Sequence, residues 1–190
     1  MQKAAATLAD WQQKEEEILQ RIRSGSAGVG VPRPEQVMGK TGMEIFRAML
    51  AGELPAPPIA ETLDFFLVEV EPGRAVFQGR PSKRYYNPLG TVHGGWYATL
   101  LDSAVGCAVH SCMPVGKSYT TLELKVNMVR ALTDKVPLVR AEGKVIHLGG
   151  QTATADGRLY GPDGKLYAHA STTCLVFDFP PAKRGERMGQ

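Results

Sequence analysis

The sequence has no long run of Lys or Arg and no basic stretch interleaved with aromatics, so nucleic acid is set aside as a partner. None of its three cysteines, Cys107, Cys112 and Cys174, forms a CxxC pair, and the odd count fits free thiols in a reducing cytosol. The protein is accordingly expected to be cytoplasmic. His93, His110, His147 and His169 share no HxH or HxxxH spacing and have no Cys/Asp cluster beside them, so no metal site is expected. No Ser sits in a GxSxG elbow and no Gly-rich loop ends in Lys-Ser/Thr, which removes support for the common acyl-enzyme triads and for a phosphate loop. The first 23 residues carry Glu15, Glu16 and Glu17 and no long apolar run, so they read as neither a secretion signal nor a membrane span.

What is present is enough for one domain with extra chain at its ends. Hydrophobic residues make up 43% and charged ones 22%, which permits a proper core, and the net charge of +3 is mild. Residues 2–23 read as a helix with Leu8, Trp11, Ile18 and Ile22 near one face. SGSAGVGVPRP (24–34) reads as a linker, making that helix an appendage, either solvated or packed on a partner subunit. The expected division is residues 1–40 as helix and linker, 41–178 as the domain, and 179–190 as a Pro-rich, charged, flexible tail. Thr41 and Glu44 form a capping box that opens a short helix ending at Gly52. Two strands follow around Pro72-Gly73, then an almost wholly apolar helix from Gly94 to about Ser111. Four more stretches read as a meander of strands, at 120–130, 136–148, 151–160 and 165–177. In the first, Leu122, Leu124, Val126 and Met128 alternate with polar residues and are expected to face the core. The fold class is α+β, and since one helix cannot cover both faces of six strands, a second subunit is the economical cover.

From Tyr85 through Gly116 there is no Lys, Arg or Glu, and Asp102 is the only acid. A lone acid in so apolar a segment is a candidate proton acceptor or nucleophile. The alternative is a carboxylate that bonds backbone or pairs with a basic residue of a partner. Gly94 and Gly95 expose the first amides of the helix, at the positive end of its dipole, as a cradle for a developing oxyanion. Asp102 lies eight residues further on, too far to cap those amides in its own chain. His93 is either a base or, more often in such a position, a local hydrogen-bonding residue. Asn87 before Pro88 is a turn former that could also orient a carbonyl or a water.

NPLGTVHGGWYATLLDSAVGCA (87–108), followed by TTLELKVNMVR, VRAEGKVIHLGGQTATADGRL and DGKLYAHASTTCLVF, resembles the hotdog-fold thioesterases of the phenylacetate-pathway (PaaI) type, from about Glu61 to Phe177. MEIFRAMLAGELPAPPIAETLDF resembles the segment leading into the sheet in such proteins. The resemblance implies a long central helix wrapped by a curved antiparallel sheet of about six strands, with the residue 2–23 helix as an extra. It implies homodimers that often pair into tetramers, with active sites at the dimer interface. It implies hydrolysis of an acyl-CoA thioester, with no cofactor beyond coenzyme A as part of the substrate. Asp102 would activate the water or attack directly, and the Gly94 amide of the other subunit would polarise the carbonyl. Asn87 would hold the carbonyl or the water, and His93 would support the turn. Thr121, or Thr120 if the register shifts, would place the water. Trp96, Tyr97, Phe65 and Met49 are the residues expected near the acyl group, which points to an aromatic or medium-chain acyl substrate, and Gly95, Thr120, Gly150 and Gln151 are further substrate-binding candidates. At Gly150-Gln151 the chain departs from relatives that place basic residues there for coenzyme A, with Arg158, Lys165 or Arg130 as candidate substitutes. Two other functions share these residues: a hydratase or dehydratase acting on acyl thioesters, and a non-catalytic acyl-thioester-binding module.

Overall fold

The computed structural model describes residues 2–179, so the expected tail from residue 180 onward lies outside the described residues. In chain order the elements are α1 (Gln2–Ser24), α2 (Pro34–Val37), α3 (Gly42–Leu50), α4 (Pro58–Leu63), β1 (Phe65–Glu71), β2 (Arg74–Gly79), α5 (Gly94–Ser111), β3 (Lys117–Met128), β4 (Val139–Leu148), β5 (Thr152–Tyr160) and β6 (Leu166–Asp178). The strands form one antiparallel sheet in the order β1-β2-β4-β5-β6-β3. The four later strands are therefore not a plain meander. β3 pairs with β6 at the far edge, and residues 129–138 carry the chain back across to β4. The α4 turn, with Pro58 at its first position, was not expected; that site suits proline because the missing N–H has no helical partner anyway.

α5 lies in the concave face of the sheet. Leu100, Leu101, Ala104, Val105, Ala108 and Val109 are completely buried there. The approach is close because the sheet supplies glycines under the helix. A methyl group at Gly143 would collide with the Ala104 carbonyl, and one at Gly157 would meet Val105 and Leu101. Gly106 serves the opposite purpose and receives the ring of Tyr119 from β3. This is the hotdog arrangement, a long helix wrapped by a curved sheet.

α1 does not project as an appendage. It folds back over the outer face of β1, β2 and β4, where Ile18 packs with Val68 and Val76. Polar groups match across this contact. The fully buried Gln78 amide donates to the Trp11 carbonyl at 3.1 Å and accepts from Arg140 Nε at 2.9 Å. The Arg140 guanidinium lies 4.6 Å from the Trp11 ring and donates to Glu69 at 2.7 Å, so this almost buried charge is paired and covered. Arg80 reaches Glu15 at 2.6 Å. The expected linker is pinned as well. Gly30 N–H donates to the Ala56 carbonyl and Ala56 N–H to the Gly28 carbonyl, both at 2.9 Å.

Candidate active site

His93 is the N-cap of α5. Its Nδ1 accepts from the Gly95 N–H at 2.9 Å, which takes up one of the amides that a helix start leaves unpaired. Gly94 N–H, the next amide at the positive end of the dipole, has no partner among the described residues. It lies in a cleft with Asn87, Thr91, Tyr97, Met128 and Arg130. Asn87 organises the preceding turn: its Oδ1 accepts from Leu89 N–H at 2.9 Å and Thr91 N–H at 3.3 Å, and its Nδ2 donates to Thr91 Oγ1 at 3.0 Å. One amide hydrogen of Asn87 remains for a ligand.

Asp102 stands on the same helix, about 12 Å further along at 1.5 Å per residue. Thr121 Oγ1 donates to its Oδ1 at 3.1 Å. The competing residue Thr120 is exposed on the other face of β3, so the alternation of the strand places Thr121 and not its neighbour against the helix. A bulge follows at Leu122, between the Thr121–Cys174 and Glu123–Thr173 pairs. It corrects the expected phase: Leu122 is turned out and 61% exposed, while Leu124 and Val126 face the core.

Sequence reasoning missed two neighbours of Asp102. Burial, with the Asp102 charge adding, pushes the Cys107 thiol up to about 12. The Tyr119 hydroxyl is raised well above its ordinary 10.0, by burial first and then by the charges of Cys107, Cys174 and Asp102. The signal for Tyr119 was present, since it lies two residues before Thr121 and therefore on the same strand face.

Of the residues expected near the acyl group, Trp96 and Phe65 are packed in the core. Trp96 stacks on Tyr85 at 5.9 Å and donates its Nε1–H to the Leu63 carbonyl at 2.9 Å. Phe65 is fully buried edge-on to Phe77. Tyr97 is buried too, with its hydroxyl donating to the Arg130 carbonyl at 3.1 Å. Gly95 is exposed beside His93, and Met49 lines an apolar cavity. Gly150 and Gln151 form the exposed tip between β4 and β5. Among the described residues no group of three His, Cys, Asp or Glu side chains could hold a metal ion, and no helix is long and apolar enough to cross a membrane.

Residues 89–168 match the family model of the thioesterase superfamily. A curated Pseudomonas aeruginosa relative that carries an esterase name is 35% identical over 94 residues, 49% of this chain, and the chain spans only 63% of that relative's length. The 1,4-dihydroxy-2-naphthoyl-CoA hydrolase of Listeria monocytogenes is 25% identical over 118 residues, covering 62% of this chain and 94% of its own. Among solved structures, a phenylacetic acid degradation-related protein of Ralstonia eutropha is 30% identical with a TM-score of 0.63, covering 68% of this chain and 98% of its own.

Proposed function

Because this chain belongs to the thioesterase superfamily, we propose that it hydrolyses an acyl-coenzyme A thioester, working as a homodimer whose sites each draw on two protomers. The observation that carries the reading is a divided one. A helix-start amide at Gly94, unpartnered among the described residues, and a carboxylate at Asp102 lie on one helix but too far apart to act on one carbonyl. A second copy related by a twofold axis brings one protomer's amide to the other's carboxylate. The exposed twelve-residue edge of β3, with Leu122, Met128 and the adjoining Val129 each about half exposed or more, is the surface through which the copies would pair.

In that assembly Thr121 holds Oδ1 of Asp102 and leaves Oδ2 for a water. Asp102 takes a proton as the water oxygen bonds to the thioester carbon. The negative charge that develops on the carbonyl oxygen is met by Gly94 N–H and the dipole of α5. When the adduct collapses, the carbon–sulfur bond breaks, and the proton on Asp102 returns to the departing thiolate. Direct attack by Asp102, with the water cleaving the resulting anhydride, uses the same residues. A dehydratase would need a free imidazole near the acid, whereas His93 commits Nδ1 to Gly95 N–H.

Purified protein incubated with acyl-coenzyme A and a thiol reagent should release free thiol, and Asp102→Ala should not. Binding of acyl-coenzyme A without thiol release would replace this reading with the binding-module one. The protein is placed in the cytoplasm on the same footing, where acyl-coenzyme A is its expected partner; tetramers formed by pairing two dimers are a further expectation that sizing would test.

A further inference from the structure

An apolar cavity of about 70 Å³ lies between α3, α4, β1 and α5, and its far wall comes from α1. Phe46 and Met49 of α3, Phe66 of β1 and Cys107 of α5 line it, and Ile22 of α1 closes it. Cys107 joins this cavity to the candidate site, since it lies on α5 five residues past Asp102, next to Gly106, on which the Tyr119 ring sits. Ile22 is held firmly. The end of α1 abuts the loop after α3, where Gly52, in a left-handed conformation at φ 76°, packs against the Arg21 carbonyl and a methyl group at Gly25 would strike Gly52. The segment after α1 is bonded to Ala56, which with Pro57 forms another part of the same wall.

We propose that this cavity receives the tail of the acyl group and that Ile22 sets the acyl length the protein accepts. The inference rests on the thioesterase reading and deepens it by naming the substrate class: unbranched, short-to-medium aliphatic acyl groups. A cavity of about 150 Å³ accommodates benzene in an engineered protein core, and this one has less than half that volume. An aromatic ring does not fit without displacing a wall. Of the four residues expected near the acyl group, Met49 lines this cavity, whereas Trp96 and Phe65 are occupied in core packing. α1 thus contributes to selectivity as well as covering the sheet.

The test is a series of straight-chain acyl-coenzyme A esters and the matching free acids, from butanoate to dodecanoate, on wild type, Ile22→Ala and Ala60→Val. Hydrolysis is read as kcat/KM and acid binding by calorimetry, with melting temperature as the check on folding. In wild type, kcat/KM should rise about fourfold per methylene while the tail still finds cavity and then fall. Ile22→Ala should move the maximum about two methylenes longer. Ala60→Val, on the adjoining wall, should move it shorter, and acid binding should follow the same order. Folded variants that keep the wild-type length profile in both measurements would overturn the proposal. Binding that shifts as described, in a protein that cleaves no ester, would sink the thioesterase reading and leave the length-setting role of Ile22 standing. No acid binding and no cleavage would remove both.

Discussion

Thr121 Oγ1 donates to the Asp102 carboxylate at 3.1 Å, so the side chain at position 102 is oriented by a hydroxyl from the facing strand. Asp102→Asn keeps an acceptor for that hydroxyl but cannot take a proton. It should therefore leave the melting temperature within a degree or two while lowering kcat by at least about 10²-fold. An unchanged kcat would remove Asp102 from the chemistry. This residue was legible in the sequence because it is the only acid between Tyr85 and Gly116, where Lys, Arg and Glu are absent. The aromatic residues were less so. Trp96 and Tyr97 sit immediately after the glycine pair, and nothing in the sequence says that their polar atoms are directed to the Leu63 and Arg130 carbonyls. Choosing between Thr120 and Thr121 required the strand parity, which the sequence shows only once the bulge at Leu122 is located.

Among the elements, α5 and the two hairpins were legible because period and turn residues agree: an apolar helix begins at a Gly pair, and Pro72-Gly73 and Gly161–Gly164 separate strands. The destination of α1 was not. Its apolar stripe was visible, but its docking surface includes Gln78 and Arg140, which in a strand read as solvent-facing residues. Gln78→Leu leaves the Trp11 carbonyl and the Arg140 Nε–H without their partner in a buried contact. It should cost about 1–3 kcal/mol per orphaned group in denaturant unfolding. A cost near zero would mean that α1 is held by Ile18 and Trp11 packing alone. The pairing of β3 with β6 was also hidden, since alternation marks a strand without naming its neighbour.

The whole molecule shows buried weak acids whose protons are held more tightly in the folded chain than in the unfolded one. Burial raises Cys107 from its ordinary 9.0, and Tyr97 and Tyr160 from 10.0, each to about 12. A folded value above the unfolded one means that this part of the stability is fully present below about pH 9 and is lost as pH climbs toward 12. Melting temperature measured from pH 8 upward should therefore be level at first and then fall, and a rise over that interval would contradict the burial of these groups.

In the proposed dimer the glycine amide and the carboxylate of one site belong to different protomers. Gly94→Pro removes the N–H, and its added Cβ meets only the flexible end of the Met128 side chain, at 2.9 Å. Position 94 is the first of its helix and His93 before it has φ −63° and ψ 139°, a conformation that proline permits. Gly94→Pro and Asp102→Ala proteins, each inactive alone, are co-refolded in equal amounts and assayed for thiol release. Half of the dimers formed at random are mixed, and each mixed dimer has one intact site, so about a quarter of wild-type activity should return. Mixtures that stay as inactive as the separate variants would show that the two groups do not meet across a subunit contact.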